Sequence, residues 1–179
     1  MKHIKILIFL LLFTTIKTVG QEHPFSWGIQ LGLGTISGNF VSFTSLNPAV
    51  FSDFSVAFAE PVYFKLKAGY YRNTEYFLRG GSGRDLYFPY LINFNLDACF
   101  EYPIQTNAVV SQGVGPQIVI DRTFSGLNET DYGVNFFAEI KFKTSKNPAG
   151  SYFGGGFEYG ITFTNTNVSY SNFYLKYQF

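Results

Sequence analysis

The sequence closes on Asn172-Phe173-Tyr174-Leu175-Lys176-Tyr177-Gln178-Phe179, a stretch with a strict period of two. Phe173, Leu175, Tyr177 and Phe179 share one face of an extended strand, and Asn172, Tyr174, Lys176 and Gln178 share the other. The first face is entirely large and apolar or aromatic. Terminal residues fray unless something ties them down. A closed barrel ties them, because its last strand must pair with its first.

The same alternation recurs upstream. Trp27, Ile29, Leu31 and Leu33 oppose Gly28, Gln30, Gly32 and Gly34. Phe54, Val56 and Phe58 mark a short second strand that ends at Glu60-Pro61, which predicts a long loop over residues 35–51. Val62, Phe64, Leu66, Ala68 and Tyr70 alternate with Tyr63, Lys65, Lys67 and Gly69. A fourth strand runs from Phe88 to Glu101, and a fifth through Val110, Val114, Ile118 and Ile120 is interrupted by Gln112 and Pro116. Val134, Phe136, Ala138, Ile140 and Phe142 mark the sixth, and Phe157, Tyr159, Ile161 and Phe163 the seventh. Eight strands of about ten residues, with no helix periodicity between them, predict an all-β, antiparallel, up-and-down barrel. Composition agrees: aromatics make up 20% of the 179 residues, Gly occurs 18 times, and the single Met is Met1.

At the N-terminus, Lys2, His3 and Lys5 precede the apolar residues 6–13, and Thr18-Val19-Gly20 follows. This order of charge, apolar core and small residues predicts a cleaved secretory signal peptide over residues 1–20, leaving 21–179 as one barrel domain. Eight apolar residues are too few for a spanning helix, which needs about 20. The chain has 13 Lys and Arg against 12 Asp and Glu, and the leader takes Lys2, Lys5 and Lys17 from the first count. Such a balance excludes the basic face that a nucleic-acid partner requires. Cys99 is the only cysteine, so no internal disulfide forms.

Alternation alone cannot separate a membrane barrel from a soluble lipocalin-like carrier, whose interior is apolar and exterior polar. The polar faces carry Lys65, Lys67, Asp97, Glu101, Glu139, Lys141, Glu158 and Lys176, four charges of each sign. A narrow lumen that neutralises itself has this pattern, because unpaired buried charge is costly. Longer connections at 72–86 and 122–131 alternate with short ones at 103–107 and 144–149, the layout of an outer-membrane barrel with both termini in the periplasm. Glycine placement adds a packing expectation: Tyr174 and Lys176 lean over backbone left bare by Gly28, Gly32, Gly154 and Gly156.

Several stretches resemble known outer-membrane sequences. Leu86-Tyr87-Phe88-Pro89-Tyr90-Leu91-Ile92, Gly113-Val114-Gly115-Pro116-Gln117 and the final Tyr177-Gln178-Phe179 resemble strand motifs of the PorT-like outer membrane protein beta-barrel family. The layout is also similar to small OmpA/OmpX-type barrels. The PorT-like resemblance implies a bacterial outer-membrane location and an accessory part in a secretion or transport assembly. Phe173, Leu175, Tyr177 and Phe179 resemble the C-terminal signal that the barrel-insertion machinery recognises.

Catalytic chemistry is sparse. His3 falls in the leader and His23 precedes the first strand, so no His stands within the barrel as a base for a Ser nucleophile. Cys99 shares its face with Asp97 and Glu101, whose charge disfavours the thiolate that a nucleophile needs. Asp97, Glu101, Glu139 and Glu158 read as partners of the lumen lysines rather than as a metal or hydrolytic site, and nothing calls for a cofactor. The chain therefore reads as a non-enzymatic, monomeric barrel with a side-chain-filled lumen, serving envelope structure or surface interaction through its loops. All four arginines, Arg72, Arg79, Arg84 and Arg122, fall at strand ends or in the longer loops. Planar guanidinium groups suit phosphate and carboxylate, so these four form a candidate rim for lipid head groups, including lipopolysaccharide.

Overall fold

Period-two alternation becomes eight strands in the computed structural model, which describes residues 25–38, 42–55, 62–74, 89–123, 127–144 and 151–179. The strands are β1 (Phe25–Ser37), β2 (Ser42–Ser55), β3 (Val62–Asn73), β4 (Tyr90–Gln105), β5 (Ala108–Asp121), β6 (Glu129–Lys143), β7 (Tyr152–Thr162) and β8 (Ser169–Gln178). Each pairs antiparallel with the next, and β8 pairs with β1 to close the barrel. The closing register sets Leu31 against Leu175 and Leu33 against Phe173. Trp27 stacks on Phe179 with ring centroids 4.3 Å apart, and the Phe179 amide donates to the Trp27 carbonyl at 2.8 Å. The expected leader (1–20), His23, Val56, Phe58 and the Glu60-Pro61 turn lie outside the described residues.

Burial along the strands settles which solvent this barrel is built for. The residues pointing outward are large and apolar: Phe173 is 71% exposed, Leu175 60% and Leu31 56%. Those pointing inward are polar, with Asp97, Asn93 and Asn172 wholly buried. A soluble lipocalin-like carrier requires the reverse, so that alternative is overturned. Facing hydrocarbon, the ladder satisfies the backbone and the outer side chains need no water. Tyr70, Tyr90, Tyr132 and Tyr159 stand on the outward face towards one end. Trp27, Tyr102, Tyr177 and Phe179 stand towards the other, and two aromatic girdles of this kind flank the apolar band of a transmembrane barrel.

The connections depart from the sequence expectation. Residues 42–51, expected as loop, are the first two-thirds of β2, whose pairing with β1 is unbroken from Ser42 to Phe54. Likewise β6 begins at Glu129 and β4 continues through Pro103 to Gln105. Only the connection between Asn73 and Tyr90 is long in sequence, so one connection rather than three carries the asymmetry in length between the two ends. It emerges from the end opposite the termini, hereafter the loop end.

Proline explains why β2 was hidden. Pro48 lies in a strand with a neighbour on each side, although Pro is normally confined to edges and bulges. The β2–β3 ladder omits two rungs, those of Asn47 and Pro48, between Leu46↔Arg72 and Ala49↔Gly69. The missing Pro48 N–H would have served the Tyr70 carbonyl. Asn47 supplies the substitute, its Nδ2 donating to that oxygen at 3.3 Å. Pro116 opens an equivalent gap between β4 and β5, at Leu96 and Asp97.

Asn47→Ala should lower stability by about 1–3 kcal/mol, the cost of an unpaired buried polar group, read as a shift in the urea midpoint of the barrel refolded in lipid vesicles. The double variant Asn47→Ala/Pro48→Val restores a backbone donor and should recover most of that loss.

Candidate functional site

The lumen is the most heavily constructed region of the molecule. Towards the end bearing the termini, Glu139 on β6 takes two cations at one oxygen: Lys65 from β3 at 3.0 Å and Lys176 from β8 at 2.6 Å. Its second oxygen accepts from the Tyr174 hydroxyl at 2.8 Å. Aromatic faces complete the cage. The Lys65 ammonium lies 3.7 Å from the Phe137 ring centroid, and that of Lys176 lies 4.6 Å from Phe51. Such contacts gain strength where water is excluded. Lys141 pairs with Glu101 at 3.1 Å, nearer the mouth, where the Glu101 side chain keeps a third of its exposure.

A second cluster occupies mid-lumen. Lys67 on β3 forms an ion pair with Glu158 on β7, across the barrel. Asn95 Nδ2 donates to the same carboxylate at 3.2 Å and Gln30 Nε2 at 3.4 Å. Asp97 takes no lysine; it accepts from Asn135 Nδ2 at 3.2 and 3.3 Å. Tyr170 joins this layer to the next. Its hydroxyl accepts from Asn93 at 2.8 Å and donates to Gln117 Oε1 at 2.7 Å. Its ring lies in an apolar cluster with Ile36, Tyr71, Leu91, Val119 and Val168 that caps the lumen at the loop end. The three layers draw side chains from every strand.

All eight charged residues expected in the lumen point inward, and seven of them are joined in four ion pairs. Sequence reasoning missed Asp53, buried opposite Lys65 in the β2–β3 register, because β2 was read too short. It also missed the amide relay of Asn93, Asn95, Asn135 and Gln117. The inward parity of these residues was visible in the sequence, but their convergence depends on which strands face each other.

The glycines make room, though not for the residues expected. Tyr174 does sit between Gly32 and Gly156 in register. Yet a Cβ at Gly32 would strike the Asn172 amide, one at Gly28 the Phe51 ring, and one at Gly160 the Tyr170 ring. The bare backbone thus accommodates Asn172, Phe51 and Tyr170 rather than Lys176. Cys99 is fully buried beside Tyr63 and Phe137, its thiol 3.5 Å from the Asp97 carbonyl. Among the described residues, no three His, Cys, Asp or Glu side chains are placed to hold a metal ion.

Of the expected rim, Arg79 and Arg84 lie outside the described residues. Arg72 and Arg122 converge. Arg72 pairs with Tyr90 across β3 and β4, and the Arg122 amide donates to the Tyr90 carbonyl at 3.0 Å from the other side. The Arg122 guanidinium lies 5.9 Å from the Tyr90 ring centroid, and the Tyr90 hydroxyl is held by Asn128 at 2.9 Å.

The chain matches no protein-family model and no curated protein by sequence. In fold it is similar to Neisserial surface protein A, at a TM-score of 0.67 and 12% identity over 87% of this chain and 96% of that one. It is also similar to Ail, the attachment invasion locus protein of Yersinia pestis, at a TM-score of 0.51 and 13% identity over 87% and 97%. The complex of Ail with the heparin analogue sucrose octasulfate gives a TM-score of 0.53. The likeness is one of fold, a small eight-stranded barrel of the outer-membrane type.

Glu139→Gln should destabilise the barrel by about 3–5 kcal/mol, because Lys65 and Lys176 are left buried against a neutral amide. Glu101→Gln should cost less than Glu139→Gln, because one lysine rather than two loses its carboxylate and water reaches the pair from the side of Glu101. Urea midpoints of the two variants in vesicles check the ranking. Cys99 should resist a water-soluble maleimide in the folded barrel and react once unfolded, as scored by mass.

Proposed function

We propose that this chain is a small, non-enzymatic integral protein of a bacterial outer membrane, exported by a cleaved leader. It acts in envelope structure and surface interaction through its loop end. The observation that carries this reading is the combination of a lipid-facing wall with a lumen packed by ion pairs. Glu139, Glu158, Glu101 and Asp97 are each held by lysines or amides, which leaves them poorly disposed to act as bases. An eight-stranded barrel is just wide enough for its side chains, so transport through it is disfavoured. What remains for interaction is the outer wall and the loops.

Its partners in this reading are outer-membrane lipids, lipopolysaccharide among them, and the barrel-insertion machinery, which reads Phe173, Leu175, Tyr177 and Phe179. The folded protein is a monomer. The surface role rests on the lipid-facing wall and the filled lumen, and the likeness to a surface protein and an attachment protein is one of fold. A second reading, an accessory subunit of a secretion assembly, draws on the PorT-like strand motifs, of which Gly113–Gln117 lies in β5.

Fractionation is expected to place the protein with outer membranes, and its gel mobility should change on boiling. In planar bilayers the refolded protein should show no steady conductance. A soluble periplasmic protein without heat-modifiable mobility would defeat the main reading, and sustained open channels would defeat the filled lumen. Recovery in a stable complex with other envelope proteins after mild solubilisation would favour the second reading.

A further inference from the structure

The ion pairs at the terminus end of the lumen are unevenly shared. Glu139 holds two ammonium groups on one oxygen, Lys65 at 3.0 Å and Lys176 at 2.6 Å. Asp53 is buried on β2 with 6% exposure, and neither of its oxygens meets a donor among the described residues. Yet the charges at this end balance, with Lys65, Lys141 and Lys176 against Asp53, Glu101 and Glu139. One carboxylate has two partners and another has none, in a setting where an unpaired buried charge is costly.

Lys65 is placed to even out this distribution. It lies directly opposite Asp53 in the β2–β3 register, and such cross-strand neighbours have Cβ atoms roughly 5 Å apart. The flexible lysine stem spans that gap, so the ammonium needs only a change of rotamer. Aromatic faces mark both ends of the path. The ammonium rests 3.7 Å from the Phe137 ring centroid on the β6 side and 5.5 Å from that of Phe51 on the β2 side. Phe51 and Asp53 are two residues apart on the same inward face of β2, so the cation keeps a ring beside it throughout. Gly28 leaves the room that the Phe51 ring occupies.

We propose that Lys65 exchanges between Glu139 and Asp53, which gives the terminus half of the lumen two charge-balanced arrangements. In the first, Lys65 braces β3 against β6 across the barrel. In the second, it pairs with the adjoining strand β2, and Lys176 alone holds Glu139. Each carboxylate at this end then has one lysine. The transfer breaks one ion pair and forms one. It releases a cross-lumen brace while the Lys67–Glu158 layer and the apolar cap keep their contacts. A metal ion at Asp53 is disfavoured, because the charges already balance. Among the described residues, moreover, no three His, Cys, Asp or Glu side chains are grouped to hold one.

The test is magic-angle-spinning NMR of the full chain refolded in lipid vesicles, with isotope-labelled lysine ammonium and carboxylate groups. Dipolar transfer from the Lys65 ammonium nitrogen should reach two carboxyl carbons in the wild type, those of Glu139 and Asp53. Asp53→Asn should abolish the second and leave the first. Glu139→Gln should send all of the transfer to Asp53. Urea midpoints give an independent reading. The loss caused by Glu139→Gln should grow by about half when Asp53→Asn is already present, because Lys65 then has neither carboxylate. Absence of transfer to Asp53 in the wild type, or additive midpoint losses, would overturn the exchange. The wild type and Asp53→Asn decide the matter by themselves if Glu139→Gln fails to fold.

Discussion

Hydrocarbon offers a backbone amide no partner, and the cost of an unpaired group there is several kcal/mol. Closure of β8 onto β1 is the answer to that constraint, and the rest of the architecture follows from it. A sheet closed with eight strands has a narrow interior, so inward side chains must fill it. Because outward positions face lipid, every charged residue of the strands except Arg72, and most of the polar ones, is directed inward. The charges must then neutralise one another at close range. The sharing of Glu139 between Lys65 and Lys176, and the pairing of Lys67 with Glu158 across the barrel, are consequences of closure as much as contributors to it.

This lumen trades capacity for rigidity. Two ionic clusters, an amide relay and an apolar cap leave little reason for anything to pass. They also tie strands that are distant in sequence, β3 to β6 and β7, and β6 to β8. The outer wall is the opposite, mostly apolar or aromatic, and among the described residues its charged side chains are Arg72 and Arg122, on either side of Tyr90. Function is therefore expected where those charges stand and in the loops above them.

The fold was largely legible because strands such as β3, β6 and β8 keep a strict alternation between large apolar and polar residues. β2 was not, because Asn47 and Pro48 are loop-like in composition and its outward face begins with Ser42 and Thr44. The repair that makes Pro48 tolerable involves the carbonyl of Tyr70, 22 positions away, and no local pattern announces it. The charged lumen residues could be named from parity alone. Their partners could not, since Lys67 and Glu158 meet only once the order and stagger of five strands are known. The rim had the same limit: arginines were conspicuous by type, but the convergence of two of them on Tyr90 is a property of register.

Pro48 and Pro116 also bear on the chain before it is folded. An extended, aromatic-rich strand is a template on which other unfolded copies can stack, and every backbone amide is a point of attachment. A proline in the middle of such a segment withholds that attachment and interrupts cross-β aggregation. In the finished barrel the deficit at Pro48 is made good by Asn47, a residue whose side chain reaches the orphaned carbonyl only when β2 and β3 are in native register. The strand is thus poorly matched to strangers and well matched to its proper neighbour, a selectivity that resides in one missing hydrogen atom.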